Sequence, residues 1–222
     1  MKELFKKLNL KPKDEKIYNQ AFIHTSYAYE HKLNNSYETL EFLGDAIVDL
    51  AVSDYLYRKG NIPEGKMTKI RASYVCENAL SEFANELNFS KYIKLGKGEQ
   101  SNGGAHKKAI LADVFESFIA AIYLDLGFQT AKETVLKIIV PYIEDETKSF
   151  FLDYKSKLQE TVQDMQKQVN YVLTKETGPS HNKSFQMSVK IDEITYGTGT
   201  GHTKKEAEQE AAKSALTKLV KK

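Results

Sequence analysis

The 222-residue sequence predicts two domains of different class: a mainly α domain over residues 1–152 and an α+β domain of order α-β-β-β-α over residues 153–222. Three observations carry this. Apolar residues recur with helical spacing through most of the first 150 positions. Alternation of period two begins only near residue 170. The length itself accommodates one or two domains of ordinary size.

Helical spacing predicts helices over residues 19–29, 38–58, 69–88, 109–126 and 130–150. The breaks between them fall at Asn34-Asn35, at Gly60 to Gly65 with Pro63 inside, at Gly96-Lys97-Gly98 and at Ser101 to Gly104. Beyond them, a short helix over about residues 153–166 leads into strands over 170–175, 185–191 and 194–201. Ile191-Asp192-Glu193-Ile194 reads as a tight hairpin turn. The closing helix begins at Thr203, and Thr203 with Glu206 has the spacing of a capping box. The boundary near Phe151-Leu152-Asp153 holds no Gly/Pro-rich stretch, so any linker is short.

Composition narrows the function classes. With 41% hydrophobic and 28% charged residues, the chain has globular rather than disordered or fibrous character. No apolar run approaches the ~18 residues of a membrane span. Met1 to Lys7 lacks the apolar core and cleavage site of a signal peptide, so no membrane partner is expected. The single cysteine, Cys76, excludes an intramolecular disulfide and a multi-cysteine zinc site, and the expected compartment is the reducing cytoplasm. The net charge of +2 hides an asymmetry: residues 1–152 hold 20 basic and 21 acidic residues, residues 153–222 hold 12 and 9.

The carboxylates of the first half are patterned. At about 100° per residue, Glu38, Glu41 and Asp45 fall within about 60° of one another, with Asp49 continuing the stripe. Leu40, Leu43, Ile47 and Ala51 occupy the opposite side. Like charges at these spacings repel, and no lysine is interleaved from Glu38 to Asp45. Asp113 and Glu116 form a second pair on a strongly apolar helix, where carboxylates near a core need a compensating charge. Such stripes are either solvated helix faces or, where the two helices pack together, a cluster of hard oxygen donors suited to Mg²⁺ or Mn²⁺. In the second case the chemistry is metal-assisted hydrolysis.

In the second half, Lys204 and Lys205 open the last helix, where cations oppose the helix dipole. They are either ordinary surface lysines or part of a phosphate site at a helix N-terminus. The small, polar loop from Gly178 to Lys183 suits close approach by a ligand, and His181 within it reads by itself as a plain loop residue.

Taken together, these residues resemble a known family. The segment from Glu38 to Ala46, ETLEFLGDA, is similar to the nine-residue signature of ribonuclease III. The stretches from Ala21 to Ala28, Glu64 to Ala72 and Ile110 to Glu116 are similar to that family as well. Gly178-Pro179-Ser180-His181 and the run from Lys204 to Glu208 resemble a double-stranded RNA-binding domain. The resemblance covers almost the whole chain, with both domains in the bacterial order.

The resemblance implies a Mg²⁺-dependent endoribonuclease, with Mn²⁺ as substitute, that cuts double-stranded RNA to 5′-phosphate and 3′-hydroxyl ends with short 3′ overhangs. Ribosomal and other RNA precursors are the implied substrates. Carried over by position, Glu41, Asp45, Asp113 and Glu116 form the metal cluster, with Asp45 and Glu116 catalytic and Glu38 and Glu64 as supporting acids. Gln159, Glu160, His181, Lys204 and Lys205 match RNA-facing positions. The family works as a homodimer through its N-terminal domain, with the signature helix at the interface.

Three positions depart from the pattern: Thr39 stands where the family usually has Arg, Tyr37 where it often has Asn, and Thr203 replaces the commoner Ser and keeps the cap. Neither Thr39 nor Tyr37 is a metal ligand, and the implied change is to a salt bridge at the dimer interface or near RNA. His24 and His106 are either structural or close to RNA. Two rival readings are a duplex-binding chaperone or decoy and an all-α nucleotide pyrophosphohydrolase. The intact acidic set opposes the first and the RNA-binding pattern opposes the second.

Overall fold

In the computed structural model, which describes residues 1–145, 154–179 and 183–220, one helix organises everything around it in the first of two units, Met1–Phe151 and Leu152–Lys222. The first unit runs through α1 (Lys2–Leu8), α2 (Glu15–Gln20), α3 (Thr25–Glu30), α4 (Glu38–Lys59), α5 (Glu64–Tyr74), α6 (Glu77–Glu86), α7 (Lys97–Ser101), α8 (Lys108–Leu126) and α9 (Phe128–Glu144). The organising helix is α8. It buries Ile110, Leu111, Val114, Phe115, Phe118, Ile119 and Ile122, with Ala112, Ala120 and Ala121 between them. A helix apolar on nearly every side has to be surrounded, and α4, α6 and α9 pack on it. Its one buried hydroxyl, on Ser117, donates to the Ala21 carbonyl at 2.6 Å.

Around α8 the aromatic rings meet edge to face. Phe22 lies 5.2 Å from Phe89, and Phe89 lies 5.2 Å from Phe118. Glycines set the helix ends: α4 stops at Gly60 (φ 68°) and α8 at Gly127 (φ 85°). Asp54 ties α4 to α9, accepting from Arg58 at 2.9 Å and pairing with Lys132.

The observed helices differ from the predicted ones at several places, and α7 (Lys97–Ser101) forms across the break expected at Gly96-Lys97-Gly98. The helix expected over 19–29 is two helices, because residues 22–24 leave the helix to pair with Lys94. Its N–H donates to Phe22 O at 2.8 Å, and His24 N–H donates to Lys94 O at 3.1 Å. The helix expected over 69–88 breaks at Val75-Cys76, and its first part begins earlier, directly after Pro63. No helix is predicted over residues 2–8, yet α1 forms there and buries Leu4, Phe5 and Leu8. Of the helix expected over 130–150, the last residues lie outside the described ones, as does the boundary at 151–153.

The second unit has α10 (Tyr154–Asp164), β1 (Val169–Thr177), β2 (Ser184–Ile191), β3 (Ile194–Gly201) and α11 (Lys204–Val220). The α-β-β-β-α order is therefore as predicted. The strands form one antiparallel sheet in the order β1-β2-β3. Ile191 pairs with Ile194 across the expected tight turn, with Asp192 and Glu193 at φ 47° and 66°. Met187, Val189 and Ile191 face a core with Leu158 and Val162 of α10 and Ala207, Ala211, Ala212 and Ala215 of α11. A Cβ on Gly199 would stand 2.2 Å from the Ala211 nitrogen, so α11 lies directly on β3. Among the described residues, no helix is long and apolar enough to cross a membrane.

Candidate functional site

The acidic stripe of α4 and the acidic pair of α8 meet where these two helices cross. The crossing is tight at Gly44, where an added Cβ would lie 2.0 Å from the Glu116 carbonyl oxygen. Leu40, Ile47 and Ala51 fasten one side of α4 in the core. The opposite side carries Glu41, half-buried, and Asp45, exposed, toward Asp113 and Glu116.

The charges of these four groups act on one another. Burial, then the charges of Asp45, Glu41, Asp113 and Asp49, push Glu116 up to about 8. Burial, then Asp113, Glu38 and Asp45, push Glu41 up to about 7. Burial also raises Asp113, against a hydrogen bond from the Tyr37 hydroxyl at 2.9 Å. Four carboxylates sharing a partly dry crossing are an arrangement that a divalent cation relieves, and an all-oxygen donor set fits Mg²⁺ or Mn²⁺. Among the described residues no three such side chains stand close enough to ligate one ion.

The supporting acids separate. Glu38 lies beside Glu41 and raises it, while accepting from the Ser36 hydroxyl at 3.3 Å. Glu64 begins α5 and accepts from Thr68 at 3.1 Å. With Ser53, Tyr57, Met67 and Arg71 it lines a different cavity, of about 240 Å³, between α4 and α5.

Sequence reasoning missed Tyr37 as a partner of Asp113. In the sequence it reads only as a departure, although a buried tyrosine hydroxyl usually finds a hydrogen-bond partner. His24 caps α3, its Nδ1 accepting from Ser26 N–H at 3.1 Å, and its ring packs edge-on against Tyr37. Glu99 is a further addition. It binds Lys107 at 2.6 Å and closes the loop that leads into α8.

In the second unit the predicted capping box is formed. Glu206 N–H donates to Thr203 Oγ1 at 3.1 Å, and the Glu206 carboxylate accepts from the N–H groups of Thr203 at 3.3 Å and His202 at 2.9 Å. Lys204 and Lys205 are exposed on the first turn of α11, with Lys204 Nζ 5.9 Å from the Phe185 ring centroid. Gln159 and Glu160 are exposed on α10. His181 lies outside the described residues.

Comparison with known proteins agrees with both units. The ribonuclease-III-like family model matches residues 14–143, and the double-stranded RNA binding motif matches residues 154–219. Ribonuclease 3 of Oceanobacillus iheyensis is 50% identical over 207 residues, covering 91% of each chain. Ribonuclease 3 of Bacillus cereus is 49% identical over 210 residues, covering 93% of this chain and 86% of that one. The crystal structure of the nuclease domain of ribonuclease III from Campylobacter jejuni matches with a TM-score of 0.60 and 36% identity, over 65% of this chain and 97% of that one. A second structure of that domain, described for flexibility in a region involved in dimer formation, matches at 37% identity and the same TM-score, over 64% of this chain and 98% of that one. With a nuclease model and a double-stranded RNA binding motif matched in succession, and half the residues shared over nine-tenths of its length, the chain belongs to the ribonuclease III family of endoribonucleases.

Proposed function

We propose that the chain cuts double-stranded RNA with Mg²⁺, or Mn²⁺ in its place, leaving 5′-phosphates and 3′-hydroxyls with short 3′ overhangs. In this reading residues 1–152 form the catalytic domain and residues 153–222 the RNA-binding domain. Its substrates are ribosomal and other RNA precursors in the cytoplasm. The observation that carries it is the meeting of Glu41, Asp45, Asp113 and Glu116 at the α4–α8 crossing, in a chain that also holds a double-stranded RNA binding motif.

These four residues would hold the cation, with Asp45 and Glu116 as the catalytic pair, while the supporting acids Glu38 and Glu64 serve substrate placement or the subunit interface. Bound Mg²⁺ supplies charge neutralisation at the phosphate and lowers the pKa of water. Burial and the neighbouring acids favour the protonated forms of Glu116 and Glu41, and a bound cation would favour their ionised forms. Lys204 and Lys205 meet phosphates at the N-terminus of α11, and Gln159, Glu160 and His181 are assigned as further RNA-facing residues. The domain thereby reads A-form shape rather than sequence.

A homodimer through the first unit is part of the proposal. Phe42, Leu50 and Tyr57 lie within about 80° on α4, and they are 84%, 54% and 77% exposed. An apolar row this exposed marks an interaction surface.

The test is cleavage of a labelled RNA duplex and a matched single strand, with and without Mg²⁺. Duplex cutting that needs Mg²⁺ is expected, and Asp45→Asn and Glu116→Gln should each abolish it with duplex binding largely kept. An uncut duplex in Mg²⁺ overturns the activity, and normal cutting by either variant overturns the site.

A further inference from the structure

Tyr37 is the N-cap residue of α4, and it is held at three points. Its backbone N–H donates to the Ile23 carbonyl at 2.9 Å. Its own carbonyl accepts from the N–H groups of Leu40 at 2.8 Å and Glu41 at 2.9 Å, starting the helix that carries Glu41 and Asp45. Its hydroxyl donates to Asp113 Oδ2 at 2.9 Å, 76 positions along the chain. The ring between these ends is 4% exposed and packs at 64° to the His24 imidazole, 5.7 Å away. His24 is itself fixed by Lys94 through its N–H and by Ser26 through its Nδ1. A phenol has two side-chain torsions, and here both are set by packing, so its hydroxyl is a rigid donor.

We infer that Tyr37 is a positioning residue of the nuclease site: its hydroxyl fixes the Asp113 carboxylate against the starting turn of α4, so that Asp113 faces the acids of that helix. The inference rests on the proposed cluster of Glu41, Asp45, Asp113 and Glu116. A phenolic O–H takes one lone pair of Oδ2 and leaves the remaining acceptor sites of the carboxylate open to a cation. Outer hydrogen bonds of this kind orient metal ligands, and their loss weakens metal affinity or activity by about 10–100-fold. Position 37, directly before the signature-like segment, is one of the departures from the family pattern.

The experiment uses the full chain stripped with a chelator and titrated with Mn²⁺, following free Mn²⁺ by electron paramagnetic resonance. Wild type, Tyr37→Phe, Asp113→Asn and the double variant are compared. Tyr37→Phe keeps the ring and its contact with His24 and is expected to retain the melting profile, which is checked first. Its Mn²⁺ affinity should fall about 10-fold or more. In the Asp113→Asn background the same hydroxyl loss should add little, because the effect passes through Asp113. In duplex cleavage, Tyr37→Phe should need more Mg²⁺ for half-maximal rate at an unchanged KM for duplex, and a purely structural role would not move that requirement. Wild-type affinity and Mg²⁺ requirement in Tyr37→Phe, or equal losses in the presence and absence of the Asp113 carboxylate, overturn the inference while leaving the cluster standing. Absence of Mn²⁺ binding by the wild type overturns the cluster itself, and the inference with it.

Discussion

The Cα of Gly44 sits so close to Glu116 that a side chain there would put its Cβ 2.0 Å from the Glu116 carbonyl oxygen and 2.4 Å from the carbonyl carbon. The obstacle is backbone, which no rotamer change relieves. One residue without a side chain therefore sets the distance between the two helices that carry the acids.

Gly44→Ala should force α4 and α8 apart. The expected loss is about 3 kcal/mol or more, the upper end for overpacking, or roughly 5–10 °C in melting temperature. Mg²⁺-dependent cleavage should fall further than stability does, because Glu41 and Asp45 move with α4. Thermal melts and duplex cleavage at a temperature where the variant is still folded separate the two effects.

In chelator-treated protein, stability should fall as pH rises from about 4.5 to about 8. Glu41 and Glu116 hold protons in the fold up to about 7 and about 8, against about 4.5 for an ordinary glutamate. Through that window the folded state binds more protons than the unfolded one, so raising the pH favours unfolding. Glu116→Gln removes the larger shift. It should melt higher than wild type at pH 8–9 without metal, and the difference should vanish toward pH 4.5. Melts at a series of pH values, with and without Mg²⁺, check the sign.

Gly199→Ala addresses the second unit. A Cβ there would meet Ala211 N at 2.2 Å and Ala207 O at 2.5 Å. The expected outcome is a drop of about 10 °C or more in the transition of that unit. Duplex binding should be lost, and calorimetry of the full chain should leave the other transition in place.

Replacing both Lys204 and Lys205 by alanine should weaken duplex binding without disturbing the Thr203–Glu206 cap. The slope of log affinity against log salt should flatten by roughly 1–2, one counterion for each lost phosphate contact. Binding isotherms at several salt concentrations read this out, and an unchanged slope makes the two lysines ordinary surface.

Much of this architecture is visible in the sequence where a local period is long enough to read. The 22 residues of α4 and the 19 of α8 repeat their apolar spacing several times, and their acids fall on definite faces as a consequence. The capping box and the Asp192-Glu193 turn are local chemistry and were legible for the same reason. What escaped is set by distant partners. Residues 22–24 leave the helix because Lys94, some 70 positions on, offers backbone pairing. The seven residues of α1 are too few to display a period, and their burial depends on the rest of the core. Tyr37 reads as an odd substitution until Asp113 comes within reach of its hydroxyl. Glu64 shares its residue type with the other acids, but its helix carries it to another cavity.

The glycines of β3 also guard the alignment of the sheet. Gly197, Gly199 and Gly201 all point at α11, with room for no Cβ at any of them. Side chains on a strand alternate, so a slip of one residue at the Asp192-Glu193 turn would present Thr198 and Thr200 to the helix instead. Such a misaligned sheet could not accept α11, and would be left with the Met187–Val189–Ile191 face of β2 uncovered. The last helix thus fits only the pairing that turns the three glycines toward it, and that pairing sets Lys204 and Lys205 just beyond the end of β3.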